Sequence, residues 1–124
     1  MGRRAALGLR AQAAGLGAEA RACAALTADG WSILGRRIRT PAGEIDVVAE
    51  RDGLAAFVEV KQRPTLAEAA ASVGPRQRRR LLAAAEILLG ANPTWGRAGV
   101  RFDVLVVDDA GQVRRIVDAF RLES

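Results

Sequence analysis

The run GEIDVVAERDGLAAFVEVKQR, Gly43 to Arg63, decides how this chain folds. Two apolar-rich segments, Glu44–Glu50 and Leu54–Gln62, flank Asp52-Gly53, the dipeptide suited to a two-residue hairpin turn. They read as antiparallel strands. Side chains alternate along a strand, which predicts Glu44, Asp46 and Val48 on one face and Ile45, Val47 and Ala49 on the other. On the second strand Phe57, Glu59 and Lys61 share one face, and Val58 and Val60 the other. A two-residue turn pairs Arg51 with Leu54, and the same register continued sets Asp46 against Glu59 and Glu44 against Lys61.

Two carboxylates placed face to face destabilise a sheet unless something offsets them. One reading is a solvated polar face carrying ordinary cross-strand ion pairs. The other is a divalent cation held by Glu44, Asp46 and Glu59. Two features favour the cation: the strands are rich in Val, Ile and Phe and read as central, and Lys61 is the only lysine among nineteen basic residues. A lysine beside a cation can give up its proton to orient or activate a water, whereas arginine cannot. With no histidine and one cysteine in the chain, the ligands are oxygens, which select Mg2+ or Mn2+ over zinc.

The rest of the composition narrows the chemistry further. The 124 residues suit one domain spanning 1–124, half of them hydrophobic and sufficient for a core. The net charge of +5 rests almost wholly on arginine, which grips phosphate in a planar fork and points to nucleic acid. Ser-His-Asp and Cys-His catalysis are excluded, and the lone Cys23, in an Ala-rich helical stretch, reads as a small apolar core residue. Arg10, Gln12, several glycines and Glu19 interrupt the Ala-rich N-terminal stretch, so it reads as mature sequence rather than an export signal. No apolar run reaches the roughly 20 residues of a membrane span, and the expected location is the cytoplasm.

Working outward from the hairpin, helical spacing predicts a first helix from about Gly8 to Asp29, closed by Gly30, and a strand over Trp31–Ile38. Thr40 to Gly43 is a turn. Thr65–Ser72 reads as a short helix or a loop, and Gly74-Pro75 opens a helix over Arg76–Gly90 with Leu81, Leu82, Ala85, Leu88 and Leu89 as its apolar stripe. The VLVV run within Arg101–Asp108 is that of a doubly covered strand, and Val113–Phe120 is a last strand.

Glu19, GEID at Gly43–Asp46 and VEVKQR at Val58–Arg63, with SVGPRQRRRLLAAAEILL from Ser72 and RFDV from Arg101, resemble the PD-(D/E)XK nuclease superfamily. Within it the chain is most similar to the YraN family of small bacterial proteins, related to the archaeal Holliday-junction resolvases. The resemblance implies a restriction-endonuclease-like αβββαβ core, a mixed central sheet flanked by helices. It implies a Mg2+- or Mn2+-dependent endonuclease acting on structured, branched or single-stranded DNA. Catalysis would fall to Asp46, Glu59, Lys61 and Glu19, and the metal to Asp46, Glu59, Val60 and Glu19, with Glu44 auxiliary. Arg37, Arg39, Arg63, Arg76, Gln77, Arg79 and Arg80 surround these positions as expected DNA contacts. Arg37 stands where that family commonly has asparagine, and Gln77 where it often has lysine. Resolvases of similar fold act as dimers, which makes a homodimer an expectation. The alternative is a non-catalytic nucleic-acid-binding or DNA-processing accessory protein of the same fold.

Overall fold

A computed structural model describes residues 17–120, the last three through their backbone only. Helix α1 covers 17–28 of these; the part of the predicted first helix before Gly17 lies outside the described residues. Strands β1 (Ser32–Thr40), β2 (Gly43–Arg51) and β3 (Leu54–Gln62) follow, then helices α2 (Leu66–Ala71) and α3 (Pro75–Ala91), and strands β4 (Gly99–Val107) and β5 (Val113–Phe120). The sheet is mixed, in the order β1-β2-β3-β4-β5. β3 and β4 are parallel and all other neighbours antiparallel.

Each turn follows from local chemistry. Asp52 and Gly53 both have positive φ, 52° and 81°, the twist that lets β2 run directly back as β3, and Arg51 pairs with Leu54 as the hairpin reading requires. α2 is a helix rather than a loop because Thr65 caps it: the Glu68 amide donates to Thr65 Oγ1 at 3.1 Å. The signal was present in the sequence as Thr65-x-x-Glu68. α3 starts where Pro75, which lacks an amide hydrogen, stands at the first helical turn.

Both faces of the sheet are covered. From α1, Ala22, Cys23 and Leu26 pack with Trp31 on Val47, Ala49, Ala56, Val58 and Leu105. On the other face Leu81, Ala84, Ala85 and Leu88 of α3 meet Ile45, Val48, Ala55, Phe57 and Phe102. Ala69 of α2 and Val73 cover Val104 and Val106. Burial on both sides is why Val104 to Val107 form an unbroken apolar run, every one of them buried. No helix among the described residues is long and apolar enough to cross a membrane.

Two expectations need correction. The first strand begins after Trp31, which is buried against α1, and runs on to Thr40. The alternation of β2 also breaks at Asp46: Ile45 packs with Val48 on the α3 side, while Val47 faces α1. Paired backbone between β2 and β3 extends from Arg51↔Leu54 only to Val47↔Val58, so the ladder holds neither Asp46 opposite Glu59 nor Glu44 opposite Lys61. The ladder ends there because the Asp46 side chain, not its backbone, accepts the next β3 amide, that of Val60.

An ion cluster unforeseen from the sequence locks the sheet at Trp31. Asp103, its side chain fully buried, accepts from Arg101 Nε and Nη2 at 2.9 Å each and from Arg115 Nη2 at 2.9 Å. The guanidinium groups of Arg51, Arg101 and Arg115 lie 4.9–5.2 Å from the Trp31 ring centroid. Removing one partner of a buried pair strands the others in a low dielectric, so Asp103→Ala is expected to lower unfolding stability by about 3–5 kcal/mol in urea titrations. Asp29→Ala, which removes a half-exposed partner of Arg51 and Arg115, should cost below about 1 kcal/mol.

Candidate active site

β2, β3 and α3 bring the candidate residues together: β2 contributes Asp46, β3 both Glu59 and Lys61, and α3 Gln77. The Asp46 carboxylate accepts the Val60 amide at 2.8 Å, which fixes it against β3. Glu59 projects from the Phe57 face of β3 toward α3, where Gln77 Nε2 donates to its Oε1 at 2.9 Å. Lys61, two residues on and therefore on the same face, places Nζ 3.3 Å from that oxygen. Both side chains are largely buried, 14% exposed for Lys61 and 12% for Glu59, so the lysine turns inward to the acid. A cavity of about 250 Å3 opens over Asp46, Glu59 and Gln77, lined also by Gly43, Glu44, Arg80 and Leu81, with Lys61 behind Glu59 outside the lining.

The electrostatics follow from burial. Loss of water pushes the Asp46 carboxyl above its ordinary value despite the Val60 hydrogen bond, and the negative charges of Glu19 and Glu44 add to the rise. Burial and then the facing Asp46 charge push Glu59 up from 4.5 to about 7, against the opposing pull of Lys61. The two carboxyls interact directly, so a shared proton is the natural neutraliser in the absence of another cation.

The other predicted residues divide by position. Glu19 is buried on α1 and accepts from Arg36 Nε at 3.1 Å and Arg37 Nε at 2.8 Å. Glu44 is half-exposed at the cavity rim, 3.7 Å from Arg39. Val60 offers its amide to Asp46, while its side chain packs on the α1 side. Gln77 and Arg80 line the cavity; Arg76 and Arg79 are exposed on the same end of α3. Arg63 donates to the Gln62 carbonyl at 2.8 Å, outside the cavity lining. Sequence reasoning missed three contacts at these residues, Gln77 to Glu59 and both Arg36 and Arg37 to Glu19, because each joins segments that no local periodicity relates.

Among the described residues no three His, Cys, Asp or Glu side chains converge into a metal-holding group. The donor set is therefore two carboxylates. That set still suits a hard cation such as Mg2+, which keeps several of its waters and takes one or two protein carboxylates. The raised proton affinity of the pair points the same way, since a bound cation would relieve the repulsion that the proton relieves.

The chain belongs to the uncharacterised protein family UPF0102, whose family model matches residues 18–107. This is the family that the motifs resemble under the name YraN. The chain is 65% identical to a UPF0102 protein of Granulibacter bethesdensis over 94% of this chain and 74% of that protein. It is 52% identical to one from Acidiphilium cryptum, over 98% and 94% of the two chains. A third, from Azorhizobium caulinodans, is 50% identical over 92% and 87%. The matched span contains Glu19, Asp46, Glu59, Lys61 and Gln77, and ends at the last residue of β4.

The raised carboxyls carry a definite pH sign. A folded-state value above the unfolded one means that the folded protein binds more protons in between, so stability falls as pH rises through that window. In metal-free buffer, urea unfolding should show stability declining from about pH 4.5 to about pH 7 as Glu59 ionises. Glu59→Gln should flatten that slope, and an unchanged slope would show that other groups cause it.

Proposed function

We propose that this UPF0102 protein is a metal-dependent endonuclease of the PD-(D/E)XK type, hydrolysing phosphodiester bonds in structured or branched DNA. The observation that carries the reading is the inward-turned Lys61 on Glu59, which together with Asp46 lines a cavity whose α3 wall carries Arg80. A purely structural hairpin gains nothing from burying two like charges beside an ammonium.

In this reading Asp46 and Glu59 hold Mg2+ or Mn2+, which when bound supplies an acidified water and stabilises charge on the phosphate. Gln77 keeps the Glu59 carboxylate in one orientation through the hydrogen bond to Oε1. Lys61 has a donor poised at the same oxygen, and its ammonium is the group that can exchange a proton with the attacking water. The Val60 amide holds Asp46 in place without consuming a side chain. Arg80 at the rim and the exposed Arg76 and Arg79 attract the strand's phosphates, giving affinity and salt dependence rather than sequence choice.

A second reading, a binding protein of the same fold without cleavage, is favoured by one fact: Glu19 is occupied by two arginines, leaving Asp46 and Glu59 as the buried acids, with Glu44 at the exposed rim. Incubation with Mn2+ or Mg2+ and single-stranded, duplex, flap and four-way-junction DNA separates the two. Cleavage is expected, falling at least about 100-fold in Asp46→Ala and Lys61→Ala. Lys61→Arg should fail as fully as Lys61→Ala, because arginine keeps the charge and cannot release a proton. Binding without cleavage across the panel would support the second reading, and cleavage surviving in Asp46→Ala would mark a contaminant.

A further inference from the structure

Glu19 and the arginines that hold it are not used by the mechanism above. The Glu19 side chain is only 9% exposed, and each of its oxygens is already engaged, Oε1 by Arg36 and Oε2 by Arg37. Adjacent residues of a regular strand point to opposite faces, so consecutive arginines would not normally reach one carboxylate. Here they do, because Arg37 has φ of 49°. That left-handed conformation costs a non-glycine residue on the order of 1–2 kcal/mol and is what asparagine tolerates best. An arginine is held there by its charge-assisted bond to Glu19.

The result is a small cationic device with its donors turned outward. Each arginine uses Nε on Glu19, and the Nη groups of both have no hydrogen-bond partner among the described residues. Their side chains are half exposed, and two guanidinium groups share the one Glu19 carboxylate, with the charges of Glu44 and Asp46 acting more weakly on Arg37. The β1–β2 register runs Arg36↔Val47 and Ile38↔Ile45, which sets Arg37 across from Asp46. The device stands beside the carboxylate site.

We infer that Glu19 acts as an internal counter-ion rather than a cation ligand, and that it holds Arg36 and Arg37 as a site for one backbone phosphate of a nucleic-acid strand. The inference rests on the nucleic-acid reading proposed above. A guanidinium pair with one edge already fixed offers its remaining N–H groups in a set direction, and less side-chain freedom is lost when phosphate arrives. A cation approaching Glu19 instead would come up against the two guanidinium charges already paired with its oxygens.

The test has two arms. Anisotropy of fluorescein-labelled single-stranded and duplex DNA, measured in EDTA over a salt series, should show that the wild-type chain binds. Arg36→Gln/Arg37→Gln should shrink the slope of log affinity against log salt by about 1, the counter-ion release of the one phosphate the pair holds. In the second arm, Mn2+ titrations followed by electron paramagnetic resonance should give Glu19→Gln an affinity within about threefold of wild type, with circular dichroism confirming the fold. Wild-type protein that shows no salt-dependent binding would overturn the nucleic-acid reading and this inference together. Wild-type binding with an unchanged slope in the double variant would overturn the phosphate site alone. A loss of Mn2+ affinity in Glu19→Gln of about tenfold or more, as removal of a ligand gives, would overturn the counter-ion role.

Discussion

The hydrogen bond from the Val60 amide to Asp46 Oδ2 is the contact on which the site depends. Backbone pairing of β2 with β3 stops one residue earlier, at Val47↔Val58. Left without an acceptor, a buried amide at that point would cost about 1–3 kcal/mol. Asp46 removes the penalty with its side chain, and in doing so is drawn to β3 next to Glu59. The same step interrupts the alternation of β2, so that Ile45 joins the α3 side of the core while Val47 remains on the α1 side.

Energetic conflict is concentrated around this one position. The Val60 bond favours an ionised Asp46, but burial and the neighbouring acids outweigh it, and both Asp46 and Glu59 hold protons more tightly than usual. Directly across the β1–β2 hairpin, Arg37 sits in a left-handed conformation, kept there by Glu19. A strained cation and a destabilised pair of acids therefore occupy neighbouring positions on three adjacent strands, on top of a core packed on both faces. Such local departures from regularity persist only where the surroundings over-determine them. The Asp103 cluster, by contrast, is buried and fully hydrogen-bonded, and acts on β4, β5 and Trp31 rather than on the cavity.

Much of this was legible residue by residue. Asp52-Gly53 announced the turn and its register, VLVV announced the doubly covered β4, and Gly74-Pro75 the start of α3. Val58 and Val60 do face away from Glu59 and Lys61, as strict alternation requires. What escaped were the places where a side chain substitutes for backbone or crosses between segments. Asp46 ends a ladder that the turn alone would continue, Gln77 reaches Glu59 from α3, and Arg101 and Arg115 converge on Asp103 from different strands.

The sequence by itself determined the hairpin and its register from Arg51↔Leu54 to Val47↔Val58, because a two-residue turn and a period of two leave those strands little freedom; the contact of Asp46 with β3 beyond that point came from the Val60 amide. It also determined that Lys61 shares the face of Glu59. Only the tertiary structure decided which partners the charges take. Packing α1 against one face and α3 against the other removes water from Glu19, Glu59 and Lys61, and a charge that has lost its water must find an opposite charge or a proton within reach. Glu19 found two arginines; Glu59 found Lys61, Gln77 and Asp46.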